Sequence, residues 1–279
     1  MPQIILPDGR ELEFQTFGPS TGRPLLFAHG IPGSGFALQV LKNAAADLGL
    51  RLISWSRPGY GTSTRHPGRA VAAQAAEVES ILDHLDAPRC LVAGWSGGGP
   101  HALAAAALLP HRVDGALTIS SLAPLADVAD PFRAMDEQSR REFEAARRGE
   151  DALRAYLGEH LIAALSEVPL TFVDQAALDP RTMLDFLNYY HHGLASGLEG
   201  WLDDDLALSR LWGFDPAAIR VPVHIWHGTD DYRVPFTHAQ VLATAIPTAT
   251  LHIESGHGHF SLLFANLPAM LKTLVEETG

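Results

Sequence analysis

The sequence predicts an α/β chain: a mostly parallel, doubly wound sheet that opens with an antiparallel hairpin and is interrupted late by a helical insertion. Three observations point there. Short, continuous apolar runs recur and end at Ala28, Trp55, Gly94, Ser120 and Trp226, and runs of that length are strands covered on both faces. Helical patterns alternate with them, as crossover helices between parallel strands do. From about Leu125 to Pro216 the alternation stops and only helical patterns remain.

Taken in order, Gln3–Leu6 and Glu11–Phe17 flank Asp8-Gly9, a turn dipeptide, and predict a β-hairpin. Pro24–Ala28 is the first buried strand. Helical patterns follow over Phe36–Leu48, over Ala70–Leu85 with Val71, Ala75, Val78, Leu82 and Leu85 on one stripe, and over Pro100–Leu108. The insertion offers Phe132–Arg148, Asp151–Leu165 and Thr182–His192. Its aromatic content, from Phe132 to Trp212, exceeds what a linker needs and suits a lid. Val221–Trp226 and Thr250–Ile253 return as strands, each followed by a helix, Phe236–Ala245 and Leu262–Glu276. The expected division is a core of residues 1–124 and 217–279 with a helical cap over 125–216.

Composition narrows the function. Apolar residues make up 47% of the chain and charged residues 19%, enough for a large core. The net charge of −12, from 32 acids against 20 Lys plus Arg, would repel a phosphate backbone, so nucleic acid is not an expected partner. Cys90, the single cysteine, sits in an apolar run and reads as a small core residue. No stretch approaches membrane-spanning length and the N-terminus lacks a signal-peptide pattern, so a cytoplasmic location is the expectation. His191, His192, His224, His227 and His238 form no ligand spacing with acids, and neither metal nor cofactor is expected.

Gly94-Trp95-Ser96-Gly97-Gly98 follows an apolar strand and precedes an Ala-rich helix. That is the strand-turn-helix context in which a G-x-S-x-G serine is a nucleophile, with the hydroxyl projecting from a tight turn. A serine needs a base to take its proton and an anion to hold that base. The late loops supply candidates for both: Asp230 and Asp231 after the strand ending at Trp226, and His257 and His259 in Gly256-His257-Gly258-His259. Asp127, soon after Ser120, is a fallback acid.

With this elbow, the His29-Gly30 turn and the late acid and histidine loops, the chain resembles the α/β-hydrolase superfamily over nearly its whole length. The resemblance implies that the catalytic acid is Asp231, on the pattern G-x-x-D-x-x-V-P, and that the base is His259, followed by an apolar residue and the last helix. It implies an oxyanion hole from the N–H groups of Gly97 and of Ile31, the residue after His-Gly. Pro32 has no N–H to give. Ser34 and His29 are candidates to tune that hole, and His29 and Trp95 to meet substrate. Ser56-Arg57-Pro58-Gly59-Tyr60-Gly61 resembles a family loop and reads as structural. Serine at 96 argues against dehalogenase- and epoxide-hydrolase-like activity, which use aspartate there.

The leading expectation is therefore a serine esterase or related acyl hydrolase acting on a small to medium substrate, with acylation then hydrolysis. Aminopeptidase of the proline iminopeptidase type, thioesterase, lactonase and C–C hydrolase share this plan. Acyl transfer, perhydrolysis or a lyase step on the same residues is a second class, and a non-catalytic binding protein a third. Asp130, Asp136, Glu137, Glu142 and Glu144 make the cap acidic, which suits an amine or simply solvent.

Overall fold

The computed structural model describes residues 1–166 and 170–279, with 162–166 described by backbone alone. Among them, eight strands form one sheet: β1 (Gln3–Ile5), β2 (Glu11–Phe17), β3 (Pro24–Ala28), β4 (Arg51–Trp55), β5 (Cys90–Trp95), β6 (Val113–Ile119), β7 (Val223–Gly228) and β8 (Ala249–Glu254). Their order is β1-β2-β4-β3-β5-β6-β7-β8. β1 pairs antiparallel with β2, and β2 antiparallel with β4; all later pairs are parallel. The Asp8-Gly9 turn closes with Gly9 at φ +85° and brings Ile5 opposite Glu11.

Both faces of the central strands β3 to β7 are covered, which is why those strands read as unbroken apolar runs. Along β5, Val92 joins the core layer containing Ile81 and Leu82 of α2 (Gln74–His84), Leu103 of α3 (Gly98–Leu108) and Leu242 of α9 (Thr237–Ala245). Its neighbours Leu91 and Ala93 join the opposite layer, with Leu41 of α1 (Gln39–Asp47) and Leu267 and Leu271 of α10 (Ser261–Thr278). The two-residue period of a strand feeds two helical layers at once.

Among the described residues, five α-helices lie between β6 and β7: α4 (Glu137–Arg148), α5 (Glu150–Ser166), α6 (Phe172–Ala177), α7 (Pro180–Gly193) and α8 (Glu199–Leu208). Local chemistry moves several expected boundaries. The helix expected from Phe132 begins at Glu137, because Asp136 is extended and its carboxylate accepts the Ser139 N–H at 2.9 Å as an N-cap. The one expected from Phe36 begins at Gln39, after an extended Leu38. Asp179 caps α7 ahead of Pro180 at its first turn. The sequence pattern predicts neither α6 nor α8. α6 is short, and α8 contains three successive aspartates that suggest solvent, yet every residue from Gly200 to Leu208 is buried.

Buried charge fastens these helices to the core. Arg57 pairs with Asp204 at 2.7 Å, both fully buried; Arg69 reaches Asp204 at 2.7 Å and Asp203 at 3.2 Å, and Arg65 reaches Asp203 at 2.8 Å. At a second point, Glu13 of β2 meets His192 of α7 at 2.7 Å and accepts from Ser56 and Thr62. Burial alone would raise the Glu13 carboxyl, but the hydrogen bonds from His192, Ser56 and Thr62 hold it at about 2 against an ordinary 4.5. A carboxyl whose value falls on folding stabilises fully above its unfolded value and loses that stabilisation as pH drops toward the folded one. Urea unfolding of wild type and Glu13→Gln should therefore differ by a constant amount above about pH 5, with wild type the more stable, and the gap should shrink steadily between about pH 4.5 and 2.

Candidate active site

Ser96 follows the last residue of β5 with φ +56°, a left-handed conformation costly for any residue with a side chain. The sheet imposes it: the Ser96 N–H donates to the Ile119 carbonyl of β6 at 2.8 Å, and α3 starts two residues on. The turn is too tight for side chains beneath it. A Cβ on Gly94 would stand 2.3 Å from the Gly98 carbonyl oxygen, and one on Gly98 2.2 Å from that of Ala28. This is the physical reason for glycine on both sides of the serine.

Asp231 lies in the loop after β7. Its Oδ1 accepts the N–H groups of Arg233 (3.0 Å) and Val234 (2.9 Å), and its Oδ2 lies 2.8 Å from Nδ1 of His259. That nitrogen, facing a carboxylate, carries the proton and donates, which leaves Nε2 as the basic face of the ring. Burial pushes the Asp231 carboxyl up, but the charge and hydrogen bond of His259, with His227 and the Val234 N–H, outweigh it and hold the group below the ordinary carboxylate range. His227 braces the loop, its Nε2 donating to the Val234 carbonyl at 2.7 Å.

Ser96 and His259 open onto one cavity of about 190 Å³ between core and cap. Ile31 and Gly97 line it too and are adjacent, since a Cβ on Gly97 would meet Ile31 Cδ1 at 2.3 Å. Trp95 also lines it. Its indole N–H donates to the His259 carbonyl at 3.2 Å and its ring lies 5.2 Å from the imidazole, so it both packs and faces the cavity.

Other expected residues stand elsewhere. His29 is not on the cavity wall: it is buried beneath the turn, with Nδ1 on the Gly30 carbonyl and Nε2 accepting the Arg57 N–H at 3.0 Å. Ser34 donates to the Tyr189 carbonyl of α7 and so ties the turn to the cap. His257, two residues from His259, lies beside Asn266, and its carbonyl accepts the backbone N–H of Asp230. Asp230 accepts from Thr229, and Asp127 is exposed. Of the acidic cap residues, Asp136 caps α4, Glu137 and Glu144 pair with Arg141 and Arg140, and Asp130 is exposed; Glu142 alone of these five lines the cavity.

Sequence reasoning misses two features. Asp174 of α6, 1% exposed, accepts the N–H groups of Phe260 (3.0 Å) and Ser261 (2.8 Å) through one oxygen, while the other accepts from Thr171. It satisfies the N-terminal donors of α10 directly after His259. Its partners are backbone groups, which leave no pattern in a sequence. The second is Asp205 of α8, on the cavity wall with Glu142. Among the described residues, no group of three or more His, Cys, Asp or Glu side chains is arranged to hold a metal, and no helix is long and apolar enough to cross a membrane.

The sequence profile of the family described as "alpha/beta hydrolase fold" matches residues 23–265. The chain belongs to that family. It is an enzyme of that family. A non-heme chloroperoxidase of Streptomyces lividans is 28% identical to it, over 98% of this chain and all of the other. A putative carbamate hydrolase of Variovorax paradoxus is also 28% identical, over 89% and 90%. Among solved structures, a hydrolase from Pseudomonas aeruginosa superposes with a TM-score of 0.73 at 19% identity (98% and 97% of the two chains), and an esterase from Rhodococcus sp. with 0.72 at 20% (100% and 99%). At such identities the superpositions express a shared fold.

Asp174 positions the His259 segment from the cap, so Asp174→Ala should slow labelling of Ser96 by a fluorophosphonate roughly 10- to 100-fold while thermal unfolding stays cooperative. Asp174→Asn, which keeps an acceptor oxygen, should recover most of that rate. Equal rates in all three proteins would show that the contact serves the helix alone.

Proposed function

We propose that the protein hydrolyses a carboxylic ester or related acyl bond of a small to medium substrate through an acyl-enzyme on Ser96. Residues 125–216 act as the lid of a core formed by 1–124 and 217–279. His259 Nε2 takes the Ser96 proton as Oγ attacks the carbonyl carbon, and Asp231 holds the imidazolium that forms. The N–H groups of Gly97 and Ile31 stabilise the oxyanion. Collapse of the tetrahedral species expels the leaving group with the proton from His259. Water, deprotonated by the same imidazole, then attacks the acyl carbon and regenerates Ser96.

The observation that carries this reading is the 2.8 Å contact between His259 Nδ1 and buried Asp231, with Ser96 and His259 on the wall of one cavity. The likeness to a chloroperoxidase over nearly the whole chain supports a second use of the same intermediate. Hydrogen peroxide attacking the acyl carbon in place of water would release a peracid, with no change in the residues involved.

A fluorophosphonate should add one adduct to the intact protein, mapping to Ser96 and absent from Ser96→Ala. An adduct on another serine that abolishes activity would overturn the assignment. On a p-nitrophenyl ester, Asp231→Asn should keep the fold and lower kcat/KM by roughly 10⁴. His259→Ala should be similarly impaired and His257→Ala close to wild type; the reverse order would move the base to His257.

A further inference from the structure

On the wall of the cavity that Ser96 also lines, α4 and α8 present two carboxyl groups, Glu142 and Asp205. Asp205 is 1% exposed, and among the described residues the only groups its carboxyl meets at hydrogen-bonding range are the Glu142 carboxyl and the Trp201 indole, which Glu142 already engages. Glu142 accepts from the indole N–H of Trp201 at 2.7 Å. Burial drives both carboxyls upward, and for Asp205 the charge and hydrogen bond of Glu142 and the charge of Asp204 add to it. Arg233, also on the wall, partly counters Glu142. For Asp205 the chief counterweight is the Trp201 indole, which carries no charge.

Keeping two acids buried face to face, with one shared indole as their neutral donor, is costly. The cost is recovered when something entering the cavity brings both donors and positive charge. An ammonium group does so with up to three N–H donors, whereas an anion is repelled and a neutral carbonyl brings no donor. We propose that Glu142 and Asp205 form an amine-recognition subsite that selects acyl substrates carrying a protonated amino group, in the manner of aminoacyl esters or amides. This rests on the acyl-hydrolase reading, and it turns a general acyl pocket into one with a fixed polar end. Because the subsite and Ser96 share one small cavity, the amino group and the reacting carbonyl must belong to the same compact molecule.

Two measurements test it, one of which needs no catalysis. In the first, n-butylammonium and n-butanol are titrated into the Ser96→Ala protein by calorimetry. The ammonium should bind at least about 10-fold tighter, and the advantage should vanish in Ser96→Ala/Asp205→Asn or in Ser96→Ala/Glu142→Gln, so that one poorly folding variant leaves the other. Equal or weaker ammonium binding overturns the subsite whatever the enzyme does. In the second, kcat/KM is compared for the 2-naphthyl esters of alanine and of isobutyrate, which differ by ammonium against methyl. The ratio should favour alanine in wild type and fall roughly 10- to 100-fold in Asp205→Asn. Turnover of isobutyrate without preference for alanine overturns this inference and leaves the hydrolase reading standing. Ammonium binding without turnover of either ester, and with Ser96 unlabelled, would do the opposite.

Discussion

The guanidinium of Arg57, fully buried, donates to the carbonyls of His29 (2.5 Å) and Gly30 (3.1 Å) and to Asp204 (2.9 and 2.7 Å), while its own backbone N–H is held by the His29 ring. One cation thus fixes the turn that carries Ile31 and the cap helix α8. Taking such a charge out of water is expensive, and the arrangement is tolerable because the donors of Arg57 meet acceptors on three residues and Asp204 is met by Arg69 as well. Removing Asp204 alone would leave two buried arginines short of their counter-charge, a loss on the order of 3–5 kcal/mol. The shape of the cavity is downstream of this contact, since its walls come from the turn and the helix that Arg57 joins.

α8 shows how a single helical step divides chemical roles. Asp204 faces the core arginines; burial would raise it, but Arg57 and Arg69 hold it far below the ordinary range. Asp205, about 100° further round the helix, faces the cavity and is driven the other way by burial and by Glu142. Asp203 completes the clasp with Arg65 and Arg69. The first two aspartates secure the helix, and that frees the third to remain a poorly partnered acid in the cavity. Its strain is carried by the clasp beside it.

Much of this architecture is legible in the amino-acid sequence. Continuous apolar runs mark the buried strands because both faces of the sheet are covered, and Ser96 stands out because a strand, a glycine-flanked turn and a helix lie in immediate succession. The structure sets His259, rather than His257, against Asp231, a choice that periodicity leaves open. What stays hidden is non-local. Trp201-Leu202-Asp203-Asp204-Asp205 looks like a solvated stretch until Arg57, Arg65 and Arg69, more than 130 residues upstream, are folded against it. His29 reads as a cavity residue because it adjoins Gly30, yet the Arg57 N–H claims its ring.

The same contacts bear on how the cap behaves. α6 holds the backbone after His259 through Asp174, α7 holds the core through His192 and the Tyr189 carbonyl, and α8 holds it through Asp203 and Asp204. Phe186 of α7 packs against both Trp95 and Phe260, the neighbours of Ser96 and His259 in sequence. Swinging the cap away as a rigid body would expose buried ion pairs and withdraw the acceptor that caps α10, each a loss of one to several kcal/mol. These contacts hold the cap helices and the core together as one unit around the cavity. Smaller rearrangements of side chains on its wall are the less costly way to admit a molecule, because they leave the Arg57 and Asp174 contacts in place.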